Sequence, residues 1–200
     1  MLFRKTSILA FLALPLLAGC HSTTPAQALA PQLAANDPGA QLQFWHALPE
    51  RKAVSNEEAF HALLLFVDGQ DDARDYDQRV QRLKEKHMVS AGFNGTAAEP
   101  LRRGTLAVAL AQALSIKGGL SMRLFGPHDR YAVRELEYAG VYPPSSPQQT
   151  FSGQEFLGII GRAEDYQRAR TEGDLAVEAP VVPAPAAGAP AAAGAADGGV

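Results

Sequence analysis

Arg102 and Arg103 stand side by side just before Gly104, where a helical pattern begins. Two guanidinium groups beside a helix start could hold an anionic sugar or a phosphate; the alternative is an exposed basic pair with no ligand, since a pair alone makes a weak electrostatic site. Asp68, Asp71, Asp72, Asp75 and Asp77 form an acidic run with the oxygen chemistry of a calcium site. Its spacing lacks the alternating Asp, the Gly and the closing Glu of a dedicated loop, and a helix cap from Asp75 explains part of it. Trp45, Tyr131, Tyr138 and Tyr142 could stack on sugars. Tyr131 and Tyr138 are seven apart on one helical segment, so at least one should face the core. His46, His61, His87 and His128 show no paired metal spacing. Ser121, His128 and Asp129 invite a triad, but no Gly-x-Ser-x-Gly elbow frames the serine, and neighbours in sequence cannot easily be successive members of a relay. No catalytic residue, metal or cofactor is expected, and the chain reads as a protein other than an enzyme.

Cys20 is the remaining reactive group and the only cysteine in 200 residues. Arg4 and Lys5 precede an apolar run from Ile8 to Leu17, and Leu17-Ala18-Gly19-Cys20 closes it with small residues. That order is a signal peptide in form, and the run is too short for a spanning helix. The last four residues resemble a bacterial lipobox. The resemblance implies diacylation of Cys20, cleavage after residue 19, acylation of the new amino terminus and a membrane partner for the lipid. Two chains suffice for stable anchoring, since each buried methylene contributes about 0.8 kcal/mol. His21 follows the cysteine in place of the Asp of an inner-membrane retention signal, so the expected location is the cell envelope, on the outer membrane facing the periplasm where the host has two.

Cleavage would remove two positive charges and take the formal charge from -3 to -5. A mildly acidic chain without a basic tract is a poor nucleic-acid binder, and none is expected as a partner. With its cysteine lipidated, the domain must be held by packing alone. Asn94-Gly95-Thr96 reads as a turn. Residues 20–40, rich in Ala, Pro, Gln and Thr, are expected to be a membrane-proximal tether. Residues 175–200 are nearly all Ala, Pro, Gly and Val, a composition that cannot bury enough to fold alone, and 171–200 are expected to be a disordered tail. Residues 41–170 remain as one ordinary domain.

An internal repeat organises that domain. Val54 to Leu63, Leu101 to Leu110 and Phe151 to Ile160 align, with starts 47 and 50 residues apart. Each places an apolar residue before a cap position and then a helical stripe: Ala59, Ala62, Leu63, Phe66 and Val67; Leu106, Ala109, Leu110, Ala113 and Leu114; Phe156, Ile159, Ile160 and Ala163. Ser55 with Glu58, and Ser152 with Glu155, form capping boxes, while the middle copy has Arg102 and Thr105 instead. Upstream, Val80, Leu83 and Met88 align with Val133, Leu136 and Val141 across 53 residues. The unit is helix, turn-rich loop, capped helix, twice in full and once in part, with Gln41 to Leu48 as the candidate first helix of the partial copy. No stretch alternates as a strand does, Leu120 to Phe125 being the least settled, so the fold class is all-α.

The unit resembles the S-layer homology repeat. Phe66-Val67-Asp68, Tyr76, Gly92-Phe93 and the block Leu101-Arg102-Arg103-Gly104-Thr105-Leu106 match that family in order, with Arg103 on its arginine. Tyr131, Gly140 and Phe151-Ser152-Gly153-Gln154-Glu155-Phe156 match again, and with the Val54 block the resemblance spans residues 54 to 165. It implies three repeats in one three-pronged domain that binds wall-linked polysaccharide in grooves between prongs, with Arg102, Arg103, Tyr76 and Asp68 as candidate ligand-binding residues. Asn56 and Gly153 stand where the other two motif arginines would be. The expected role is a lipid-anchored module touching wall polysaccharide or peptidoglycan; the alternative is a structural adaptor that docks on another envelope protein without binding glycan.

Overall fold

A computed structural model of the protein describes residues 29–116, 118 and 128–178, without side chains for 174–178. The signal segment, Cys20, Ser121 and the stretch Leu120 to Phe125 lie outside the described residues. Within them the chain is all-α, with helices α1 (Pro38–Ala47), α2 (Asn56–Asp68), α3 (Tyr76–Glu85), α4 (Arg103–Ala113), α5 (Asp129–Tyr138) and α6 (Gly153–Glu178). No helix among the described residues is long and apolar enough to cross a membrane.

Local signals start most of these helices. Asp37 accepts from the Gly39 and Ala40 amides at 3.0 Å and is followed by Pro38, whose ring already has a helical φ. The Ser55–Glu58 box forms in full, and Ser152 and Glu155 exchange bonds of 2.9 and 3.3 Å at the start of α6. Asp75 accepts from the Gln78 amide at 2.9 Å and starts α3. Arg102, at the head of α4, offers no side-chain cap.

The first amides of α4 are satisfied from elsewhere, and this reveals the architecture. Arg103 N–H donates to Gln149 O and Gly104 N–H to Pro147 O, at 2.8 and 2.9 Å. At the start of α2, Asn56 N–H donates to Glu99 O and Glu57 N–H to Ala97 O. At the start of α6, Gly153 N–H donates to Arg51 O. The orphan amides of each second helix are therefore met by the loop before the next one, and the third returns to the first. Val54, Leu101 and Phe151 lie at the hub, each at most 1% exposed, with Val54 N–H on Phe151 O and Leu101 N–H on Val54 O.

Around this hub α2 lies against α3, α4 against α5, and α6 against the 3-10 turn Leu48–Glu50 that follows α1. The first helices of the two full units also end alike. His87 and Gly140, 53 residues apart, are both left-handed, at φ 56° and 75°. The two amides after each fold back onto one carbonyl, Leu83 O after His87 and Leu136 O after Gly140. The stripes read from the sequence supply the core: Ala59, Ala62 and Leu63, Leu106, Ala109, Leu110 and Leu114, and Phe156, Ile159, Ile160 and Ala163 are all buried. Val67, at the outer end of α2, is exposed. At the two edges, Leu29 is buried against the core although it falls in the tether segment, and α6 continues past residue 170 to Glu178.

Candidate functional site

The junction between the second and third units opens into a groove of about 540 Å³. Its walls are the loop residues Pro143, Pro144, Ser145, Gln148, Gln149 and Thr150, with Arg103 from α4 and Glu155 from α6 at one end. Arg103 reaches this position because α4 starts against the carbonyls of Gln149 and Pro147. Its guanidinium lies 4.6 Å over the Phe151 ring, donates to Thr150 O at 3.2 Å and pairs with Glu155 at 2.6 Å. The Tyr142 hydroxyl donates to the Arg103 carbonyl at 3.1 Å, and burial pushes that phenol well above its ordinary value. The Ser152 amide and the Arg103 guanidinium hold the Glu155 carboxyl below its usual range, against the opposing effect of partial burial. The groove therefore carries one closed ion pair and a wall of amides and hydroxyls.

At the other two junctions the aligned position is closely packed. Asn56, aligned with Arg103, turns its amide onto Thr96 O at 2.8 Å. A Cβ on Gly95 would crowd both Asn56 and the Phe93 ring, so that loop is packed close. Gly153, the third aligned position, lies so near the Leu48 carbonyl that any side chain would overlap it.

The sequence candidates do not converge. Arg102 is exposed at the groove rim, 3.2 Å from Gln148 Oε1 and 3.8 Å from Glu99. Tyr76 stacks on Phe60 and donates to Gly95 O at 2.7 Å; burial, then the Glu99 and Asp77 charges, raise its pKa. It lines the first junction instead of the open groove. Asp68 ends α2, roughly 18 Å along the helix from the hub end, and pairs with Lys86 at 2.8 Å. Among the aromatics, Tyr142 is buried, Trp45 and Tyr131 are half-buried and Tyr138 is almost fully exposed. No group of His, Cys, Asp or Glu able to hold a metal occurs among the described residues.

The acidic run has a different use. Asp71 is buried and accepts from Arg79 Nε at 2.5 Å, from the Ala73 amide at 3.0 Å and from His61 Nδ1 at 2.6 Å. Burial raises its pKa, and the bonds from His61 and Arg79 more than reverse that, so it stays ionised. An ionised carboxylate only accepts, so His61 carries its proton on Nδ1; its Nε2 is buried without a partner. Arg79 also pairs with Glu57 at 3.2 Å. Glu57 in turn accepts from the Leu29 amide, and Asn36 bonds to both backbone groups of Asp71. The sequence reading missed this cluster. Its one signal was Glu57 and His61, four apart on α2 and off the apolar stripe.

Comparison with protein-family models, with curated proteins and with solved structures found no match for this chain.

Proposed function

We propose that the protein is a lipid-anchored envelope module whose helical domain, of S-layer-homology type, holds wall polysaccharide or peptidoglycan in the groove beside Arg103. The cyclic hub carries this reading. The second helices of three units start on one another's loops, and a groove opens at the second-to-third junction. Its neutral amides and hydroxyls suit sugar hydroxyls, and a concave site with few charges is a default place to look for a ligand. Attachment through Cys20 would present that groove to the wall. The test is co-sedimentation of the full chain with intact sacculi beside the Gln148→Ala/Thr150→Ala variant, whose exposed side chains line the groove. Parental binding and its loss in the variant support the site, and no parental binding sinks the reading. The anchor has its own test, since Cys20→Ala should release the protein from membranes.

One observation favours the adaptor reading. Arg103, the single arginine at the three aligned positions, is already engaged by Glu155, Thr150 and Phe151. A domain without glycan affinity would instead yield a defined protein partner on crosslinking in cells.

A further inference from the structure

We propose that the groove beside Arg103 takes an uncharged, hydroxyl- and acetamido-bearing glycan strand and discriminates against anionic polymers; this rests on the wall-binding reading. The charges of the lining decide it. Arg103 and Glu155 are the two ionisable groups of the wall, and they are paired at 2.6 Å. The second Glu155 oxygen is held by the Ser152 amide and hydroxyl, at 2.9 and 3.0 Å, so the carboxylate is fixed in place at the helix start.

An incoming anion has to compete with a partner that is already positioned and has no association entropy left to lose. It must also approach Glu155, whose side chain is 50% exposed at the same end of the groove, and so meets a like charge. Arg102 at the rim does not change the balance, because Glu99 lies 3.8 Å from it. The remaining wall is suited to a neutral sugar. Gln148, Gln149 and Thr150 present amides and a hydroxyl, and Pro143 and Pro144 offer apolar faces for sugar C–H groups. Ser145, in the same wall, has a buried hydroxyl without a hydrogen-bond partner, the kind of polar group that a bound hydroxyl or its water would satisfy.

The test uses the full chain in mild detergent with intact sacculi at about 0.02 M and about 0.3 M NaCl, where exposed charge interactions differ sharply in range. N-acetylglucosamine hexamer and polygalacturonate serve as the neutral and anionic competitors, and hexamer binding is also measured directly by calorimetry. The bound fraction should change by less than about twofold between the two salts, and the hexamer but not polygalacturonate should displace the protein. Glu155→Gln keeps the Ser-x-x-Gln capping pattern while removing the charge that neutralises Arg103. It should gain polygalacturonate binding that falls about fivefold or more at the higher salt. Parental binding that falls severalfold with salt, or that polygalacturonate displaces, overturns the inference and leaves wall binding standing. Failure to bind both sacculi and hexamer overturns both, whereas hexamer binding without sacculus binding upholds the groove chemistry and removes the wall as its target.

Discussion

Gly153 presses its α-carbon against the backbone carbonyl of Leu48, at the point where α6 closes the ring of three units onto α1. The same aligned position carries Arg103 at the second junction and Asn56 at the first. Its amide does the same work in all three places, donating to the loop before the next second helix. Side-chain chemistry at that position is thus separable from its backbone role. Where the Leu48 carbonyl leaves no room for a side chain the residue is glycine, where the loop offers the Thr96 carbonyl it is asparagine, and where the groove opens it is arginine.

Gly153→Ala should therefore destabilise the domain by about 1–3 kcal/mol, the usual cost of forcing extra volume into a packed site. Gly161, further along the same helix, has open space where a Cβ would go. There alanine should stabilise by about 1 kcal/mol, through helix propensity alone. Urea denaturation of both variants checks the pair, and equal behaviour would mean that the α6–Leu48 contact is not as close as described.

Arg103 bears on stability before it bears on any ligand. Its side chain is 7% exposed and joins a salt bridge, a carbonyl bond and a ring contact. Arg103→Ala should cost about 1.5–3 kcal/mol, the range for hydrogen bonds to charged groups. Arg103→Lys should recover little of it, because an ammonium cannot stack flat on Phe151 while forking to Glu155 and Thr150. Thermal unfolding of the two variants decides this; a full rescue by lysine would show that charge alone matters. Loss of sacculus binding in Arg103→Ala is informative only once the folded fraction is known.

The parts of this fold written in short-range patterns could be read from the chain. Ser55 with Glu58 and Ser152 with Glu155 cap their helices as spaced, and the three stripes are buried at their first three equivalent positions. The alignment of Met88 with Val141 appears in space as two left-handed turns one residue earlier, at His87 and Gly140. Contacts between units were not legible, because a backbone bond such as Asn56 to Glu99 leaves no mark on residue type. The same blindness hid which residues wall the groove beside Arg103, since they come from one loop and two helix starts. It also hid the partners of Asp71, since an acidic run gives no sign of which member turns inward. Arg79 and His61, which select Asp71, arrive from two different helices.

The docking of the tether segment is a separable feature. Leu29 is buried, its amide bonds to Glu57 at 3.2 Å, and Asn36 makes bonds of 2.8 and 3.1 Å with the Asp71 backbone. Asn36→Ala removes the second attachment and should cost about 1 kcal/mol, the net value of a typical intramolecular hydrogen bond. Hydrogen exchange should rise in residues 29–37 while the amides of α2 and α4 stay protected. Uniformly faster exchange would mean that this segment is integral to the core.

Acid should loosen the α2–α3 prong through Asp71. Its folded pKa lies below the ordinary 3.8, because the bonds from His61 and Arg79 outweigh the effect of burial. Between the folded value and 3.8 the unfolded chain binds the proton and the folded chain does not, so falling pH favours unfolding. The Asp71 contribution is complete above that window and is lost as pH drops through the folded pKa. Glu155, also lowered, acts with the same sign from its ordinary 4.5. Asp71→Asn should cost about 3 kcal/mol at neutral pH by breaking the buried Asp71–Arg79 pair and leaving Arg79 with only the longer contact to Glu57. Because asparagine takes up no proton, the variant should also lose part of the parent's decline in urea midpoint below about pH 4. Glu155→Gln, measured beside it, removes the other contribution and isolates the Asp71 slope. A parent whose midpoint stays flat down to the acid limit would mean that Asp71 is not held by this pair.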